Sequence, residues 1–163
     1  MCSTSRMATQ LIRVDPRVAE RAHEARRREW EVLARDLCAD RPADDRFFPE
    51  IAADELLLHA EEDAFILRAS GSTEEHRIDR QRLSPQLKEY LAVIEMLDDD
   101  YLPMQRAEVL DMAKRVVHDA AANLLSELLP SLNADHEHRR RLFSLLVALS
   151  ADTTKKRMAH RHL

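Results

Sequence analysis

Gly71 is the only glycine in this 163-residue chain. Backbone that needs a positive φ, or that must approach a ligand closely, has a single residue without Cβ to use. A GxGxxG dinucleotide loop, a GxxxxGK[ST] phosphate cradle and a GxSxG nucleophile elbow each need several such residues, so none can exist here. Classical nucleotide-dependent catalysis is not expected, because phosphate loops bring backbone N–H groups up to the anion.

Charged residues make up 34% of the chain and hydrophobic residues 45%. That balance supplies a core and points to long amphipathic helices with solvated outer faces. A chain of this length buries about 70% of the surface its unfolded form exposes, so folding is expected to need no metal or disulfide. Cys2 and Cys38 read as ordinary reduced thiols. The net charge of −5 predicts no whole-molecule attraction to nucleic acid or anionic lipid. No apolar run approaches the roughly 20 residues of a membrane span. Met1 to Met7 carries one arginine and no apolar stretch, so no secretory signal is expected. The expected compartment is the cytoplasm.

Hydrophobic periodicity divides the chain into elements. Thr9 to Val14 alternates and predicts a short strand. Asp15-Pro16 then predicts a cap and first helical position for one helix running to about Asp40, with Val18, Ala22, Ala25, Trp30, Leu33 and Leu37 as its apolar stripe. Pro42 to Glu50 is a loop carrying Phe47-Phe48-Pro49. Glu55 to Glu61 and Ala64 to Ser70 both alternate, and the short Glu62-Asp63 connection predicts a hairpin. After the Ser70-Gly71-Ser72 turn, Glu75 to Arg80 returns as a third strand. From Ser84 the period becomes helical, with Ser84 as cap and Pro85 at the first position. Pro103 starts a second helix that runs to about Leu129, with Leu110, Ala113, Val117, Ala120, Leu124 and Leu128 on one face. A last helix, capped by Asn133 or Asp135, runs through Ser150. The chain reads as a single helix-dominated α+β domain over residues 9–150. It combines a small antiparallel β-meander packed against helices with a C-terminal three-helix unit. Residues 1–8 are expected to be disordered and 151–163 to form a frayed basic tail.

Two stretches carry a likeness to known sequences. Asp111-Met112-Ala113-Lys114-Arg115-Val116-Val117-His118 fits a D-M-x-[KR]-R-x-x-H pattern, and Arg140-Arg141-Leu142-Phe143-Ser144-Leu145 fits R-R-L-F-[TS]-L. Together with an F-x-P loop at Phe48-Pro49-Glu50 or Phe47-Phe48-Pro49 and the helix start Leu83-Ser84-Pro85, they make the chain resemble an uncharacterised, function-unknown family of small alphaproteobacterial proteins. The resemblance covers about Leu11 to Leu149. It departs at His118-Asp119-Ala120-Ala121, where the family has H-N-E-G. It implies the order of elements and a small cytoplasmic protein, and it carries no activity.

The candidate sites follow from residue types and spacing. Arg115 and His118 stand three apart on one helix, where a guanidinium and an imidazole can share a small anion, with Asp119 beside them. The competing expectation is a structural network in which both meet internal carboxylates such as Glu89, Glu95 or Asp119. Phe47 and Phe48 either plug the core or present an apolar contact. In the run Arg139-Arg140-Arg141, which precedes Leu142-Phe143, one arginine must turn inward or into an ion pair. Phe47, Phe48, Arg140 and Arg141 form the candidate interaction surface. His136 and His138 lie about 200° apart on a helix and cannot share a metal there. His160 and His162 have the same weakness. Asp98-Asp99-Asp100 lacks the spaced ligands and glycine of a calcium loop. Arg26-Arg27-Arg28 and Lys155-Lys156-Arg157 read as solvated faces.

No metal site, cofactor or catalytic residue is therefore assigned. The chain reads as a non-catalytic interaction or regulatory protein, expected to form a homodimer through helices or an exposed strand edge, with a further protein partner open. The alternatives are a small enzyme or anionic-ligand-binding protein built on Arg115 and His118, and, more weakly, a nucleic-acid binder. Val93, Met96, Met112, Val116 and Val147 lie just beyond the main stripes. They give the helices more apolar surface than one small core needs.

Overall fold

A computed structural model describes residues 9–99 and 101–152. The elements run β1 (Leu11–Val14), α1 (Pro16–Ala19), α2 (Glu24–Cys38), β2 (Glu55–Ala60), β3 (Ala64–Ala69), β4 (Glu75–Asp79), α3 (Arg80–Leu97), α4 (Met104–Leu128) and α5 (His136–Ser150). The expected disordered N-terminus, most of the basic tail, Cys2, Asp100, Lys155-Lys156-Arg157, His160 and His162 lie outside the described residues.

The alternating segments form the expected hairpin and third strand. Leu58 faces Leu67 across β2 and β3, and Leu67 faces His76 across β3 and β4. Gly71 sits in the second turn at φ 73°, the one left-handed position given to a residue without Cβ. The meander is not the whole sheet, however. β1 lies parallel to β2, with Ile12 against Leu56, so the order is β1-β2-β3-β4 and the sheet is mixed. Leu56, Leu58, Phe65, Leu67 and Ile78 line the face turned to the helices. Both edges are blunted. The Cys38 thiol lies 3.5 Å from the backbone N–H of Ile12 and 3.7 Å from its carbonyl. On the far side, β4 exposes Glu75, Arg77 and Asp79.

Two helix boundaries differ from expectation. The single helix expected from Pro16 to Asp40 is broken. Arg21 and Ala22 tighten into three-residue bonds to Val18 and Ala19, both 3.2 Å. His23 then turns extended at ψ 160° and caps α2, its Nδ1 accepting from Arg26 N–H. The helix expected from Ser84 begins four residues earlier, because β4 runs straight into α3. The Asp79 carboxylate accepts from Gln81 and Arg82 N–H at the junction. Pro85 consequently lies inside α3, where it removes one bond to the carbonyl four residues back.

α5 is the central helix of the domain, packed against α2 on one side and α4 on the other. Leu142, Phe143, Leu145, Leu146, Val147, Ala148 and Leu149 are all buried. Asp135 caps it, accepting from His138 N–H at 2.8 Å. Asn133, the other expected cap, instead donates to the Asp45 carboxylate and the Arg46 carbonyl.

α4 is rotated relative to the expected stripe. Val117, Ala121, Ala122 and Leu125 are its buried residues, whereas Ala120, expected on the core face, is exposed. From Met104 to Val116 no residue of α4 is buried. Val93 and Val147, expected as surplus apolar surface, are inside the protein.

Candidate functional site: a cleft over helix α5

Helix α4 turns His118 away from Arg115. Arg115 is exposed and pairs with Asp111 one turn earlier, at 3.2 Å. The His118 ring enters the seam between α4 and α5, where its Nε2 lies 2.9 Å from Ser144 Oγ. Tyr90 and Phe143 pack against the ring at centroid distances of 5.3 and 5.6 Å. The expected convergence of Arg115 and His118 on one anion is therefore absent. So is a network of both with carboxylates, since the partner of His118 is a serine hydroxyl. Asp119 faces α5, 3.0 Å from His136 Nε2 and 3.4 Å from Arg140 Nε. The His136 hydrogen bond holds its carboxyl below the ordinary range.

Arg140 and Arg141 tie α5 to its neighbours. Arg140 reaches Glu137 at 3.3 Å, and its Nε is buried without a hydrogen bond. Arg141 donates to the carbonyls of Asp36 and Ala39 and meets the Asp40 carboxylate at 3.2 Å. That grip holds the end of α2, where Asp40 adopts a left-handed φ of 59°. Phe47 and Phe48 are 1% and 0% exposed. They have no surface to present, so of the four residues expected as an interaction surface only the two arginines reach solvent. His136 and His138 point to different partners. His138 is buried between Asp135 Oδ1 and the Ala39 carbonyl, 2.7 Å from each. Among the described residues no group of three His, Cys, Asp or Glu could hold a metal ion.

Around His118 the walls open into two adjoining clefts floored by α5. One, of about 320 Å³, is lined by His118, Ser144, Arg140, Arg141, Glu137 and the end of α2 at Asp36 to Asp40. The other, of about 370 Å³, is lined mainly by Val32, Leu33, Tyr90, Ile94, Val147 and Ala148. Leu33 and Ser144 belong to both. The sequence pointed to His118, Arg140 and Arg141 but missed Ser144, which stands 26 positions from His118 and meets it only through helix packing.

Burial holds the His118 pKa below its ordinary value, and the charges of Arg140 and Lys114 act in the same direction. The sign for stability follows. The unfolded chain takes up a proton near pH 6.5, whereas the native ring resists until lower pH. Stability from this residue is complete above about pH 6.5 and is lost as pH falls toward the native pKa. Urea midpoints should therefore fall from about pH 7 to pH 5 in the native sequence and fall less in a His118→Gln variant. Parallel slopes would remove His118 as the source. The depressed Asp119 and Asp135 carboxyls act in the same direction but at more acidic pH.

A family model described as an uncharacterised protein family (UPF0262) matches residues 6–152. The chain belongs to this family. A UPF0262 protein from Maricaulis maris (strain MCS10) is 44% identical over 48 residues, 29% of this chain. The match spans about 30% of that relative's length. No solved structure is significantly similar to the chain. In this UPF0262 chain, no helix among the described residues is long and apolar enough to cross a membrane.

Proposed function

We propose that the chain works as a non-catalytic, self-associating interaction protein, with the outer face of α4 as its contact surface. The observation that carries this reading is the stripe Val109, Met112 and Val116, which are 65%, 66% and 65% exposed. Spacings of three and four place them on one side of the helix, opposite the Val117–Ala121–Leu125 face. They lie along the part of α4 where no residue is buried. Apolar surface so concentrated is characteristic of contact sites. The blunted edges of β1 and β4 favour helices over strand pairing for that contact.

The flanking charges favour a second copy as occupant. Glu108 and Arg115 stand seven residues apart on the same flank of the stripe and have opposite signs. Two copies of α4 packed antiparallel about Met112 bring Glu108 of one against Arg115 of the other, twice. A parallel pair would face them with Ala113 and Ala120 instead. The exposed Arg115–Asp111 pair costs little to exchange.

Light scattering at micromolar concentration should give twice the 18.9 kDa chain mass. A Met112→Glu, Val116→Glu double variant should give the single mass with an unchanged far-ultraviolet circular dichroism spectrum. A monomeric native chain, or a dimer indifferent to both substitutions, would defeat the proposal.

A further inference from the structure

We infer that Met112 is a modification site, at which an oxidant of the peroxide class forms methionine sulfoxide in the free chain and thereby blocks the α4 contact. The inference rests on the α4 reading above and adds its control.

The placement of methionine carries it. Methionine is the usual filler of irregular gaps in a core, yet the hydrophobic core here is built without it. Three of the six methionines, Met96, Met104 and Met112, lie among the described residues, and they are 48%, 79% and 66% exposed. All three stand on α3 or α4. Oxidation of these sulfurs leaves the described core untouched, so the fold survives while the surface changes. Met112 is the one inside the Val109–Met112–Val116 stripe. A thioether has no proton to lose, so access to the sulfur governs its oxidation. Cys38 is a poor competitor for the same oxidant. Its thiol is half-buried against Ile12, and burial raises its pKa, so the nucleophilic thiolate is scarce.

The step balances with water as its by-product. A sulfur lone pair attacks one oxygen of hydrogen peroxide, the O–O bond breaks and an S–O bond forms. The departing hydroxide takes the remaining proton and leaves as water. Sulfur loses two electrons and the peroxide gains them. A polar, chiral side chain then replaces a flexible apolar one. In two α4 helices packed antiparallel about Met112 these side chains meet, so the contact would have to bury two sulfoxide oxygens. Arg115 stands three residues on, a spacing at which helical side chains meet. Its guanidinium can donate to the new oxygen, which draws it away from Glu108 of the second copy. Both effects oppose the contact, and neither reaches the buried Val117–Ala121–Leu125 face.

Hydrogen peroxide is the probe, applied to the full chain diluted until it scatters as single chains, with dithiothreitol added afterwards to return the thiols. Peptide mass spectrometry should find the sulfoxide at Met112. The concentrated product should scatter with the single chain mass and keep its far-ultraviolet circular dichroism. The dimer should weaken by roughly a hundredfold or more, and methionine sulfoxide reductases A and B should restore it. Met112→Leu keeps the stripe apolar and should stay dimeric through the same treatment, although its other methionines are oxidised. An untreated chain that is monomeric at micromolar concentration defeats the α4 reading and this inference with it. Three results overturn this inference alone and leave the α4 reading standing. They are a Met112 that resists millimolar peroxide, a dimer that persists with Met112 oxidised, and a Met112→Leu chain that dissociates as the native one does.

Discussion

A Phe48→Ala variant should melt roughly 10 °C or more below the native chain. Removing a buried phenylalanine costs about 3–5 kcal/mol when the cavity cannot collapse, and in a domain of this size each kcal/mol moves the midpoint by about 2–4 °C. Collapse is hindered at this position. The ring lies stacked on His76 with centroids 4.2 Å apart. The backbone around it is pinned, since Phe48 N–H donates to the buried Gln10 side chain at 2.8 Å. Phe48→Leu, which keeps most of the volume, should lose only about 1 kcal/mol. Thermal melts of both variants decide the matter. An alanine variant as stable as the leucine one would mean that the ring contributes surface contact rather than core.

Parts of this architecture were legible because they are written locally. The β2–β3 hairpin shows in period-2 alternation on both sides of Glu62-Asp63, and α4 begins after Pro103 and ends before Pro130 as the prolines suggest. β1 was visible as a strand but its partner was not. Pairing Leu11–Val14 in parallel with Glu55–Leu58 joins segments separated by all of α2, and nothing in either segment names the other. The break before His23 has no signal, since Glu20 to Ala22 contains no glycine or proline. Ser84-Pro85 gave a false one. The pair has the chemistry of a helix start, yet Asp79 stands at the end of β4 and offers the same service earlier, so the sheet set the boundary. A rotation of the α4 stripe was enough to exchange Ala120 for Ala121 in the core.

The candidate site divides in the same way. The run Arg139-Arg140-Arg141 could be read as one in which a single arginine must turn inward or into an ion pair, and in the fold both Arg140 and Arg141 make ion pairs. Arg115 and His118 share a helix, but packing of α4 on α5 separates them. It draws the imidazole toward Ser144 and leaves the guanidinium outside. The surplus apolar residues split as well, with Val93 and Val147 absorbed by the core and Met96, Met112 and Val116 left exposed. Sequence counts apolar residues, but only the fold says which ones find a neighbour.

The loop from Arg46 to Asp54 was the least legible segment, and it yields the second large expected effect. It has no regular structure and holds its shape through two buried polar side chains, Gln10 and Arg46. Arg46 donates to the carbonyls of Ile51, Ala52 and Ala53 at 2.9, 3.2 and 2.7 Å and to Asp54 Oδ1 at 2.9 Å. Gln10 Nε2 donates to Phe48, Ile51 and Ala53 carbonyls, so two of the acceptors are shared. Arg46→Met keeps the aliphatic stem and deletes the donors, leaving interior carbonyls without a partner that water could replace. Each such group costs about 1–3 kcal/mol, and sharing with Gln10 reduces the sum, so a loss of about 3–5 kcal/mol is expected by urea unfolding. Arg46→Lys should recover only part of it, because one ammonium cannot serve both the carbonyl cluster met by Nη2 and the Asp54 carboxylate met by Nη1. Asp54→Asn tests the ion pair separately. Its carboxylate is largely exposed, so the change should cost under about 1 kcal/mol. A Gln10→Leu, Arg46→Met double variant should lose more than the two single losses added, since each side chain still serves Ile51 and Ala53 when the other is removed. If Arg46→Met stays within about 1 kcal/mol of the native chain, the loop is held by the Phe47 and Phe48 rings alone and the hydrogen-bonded frame is incidental.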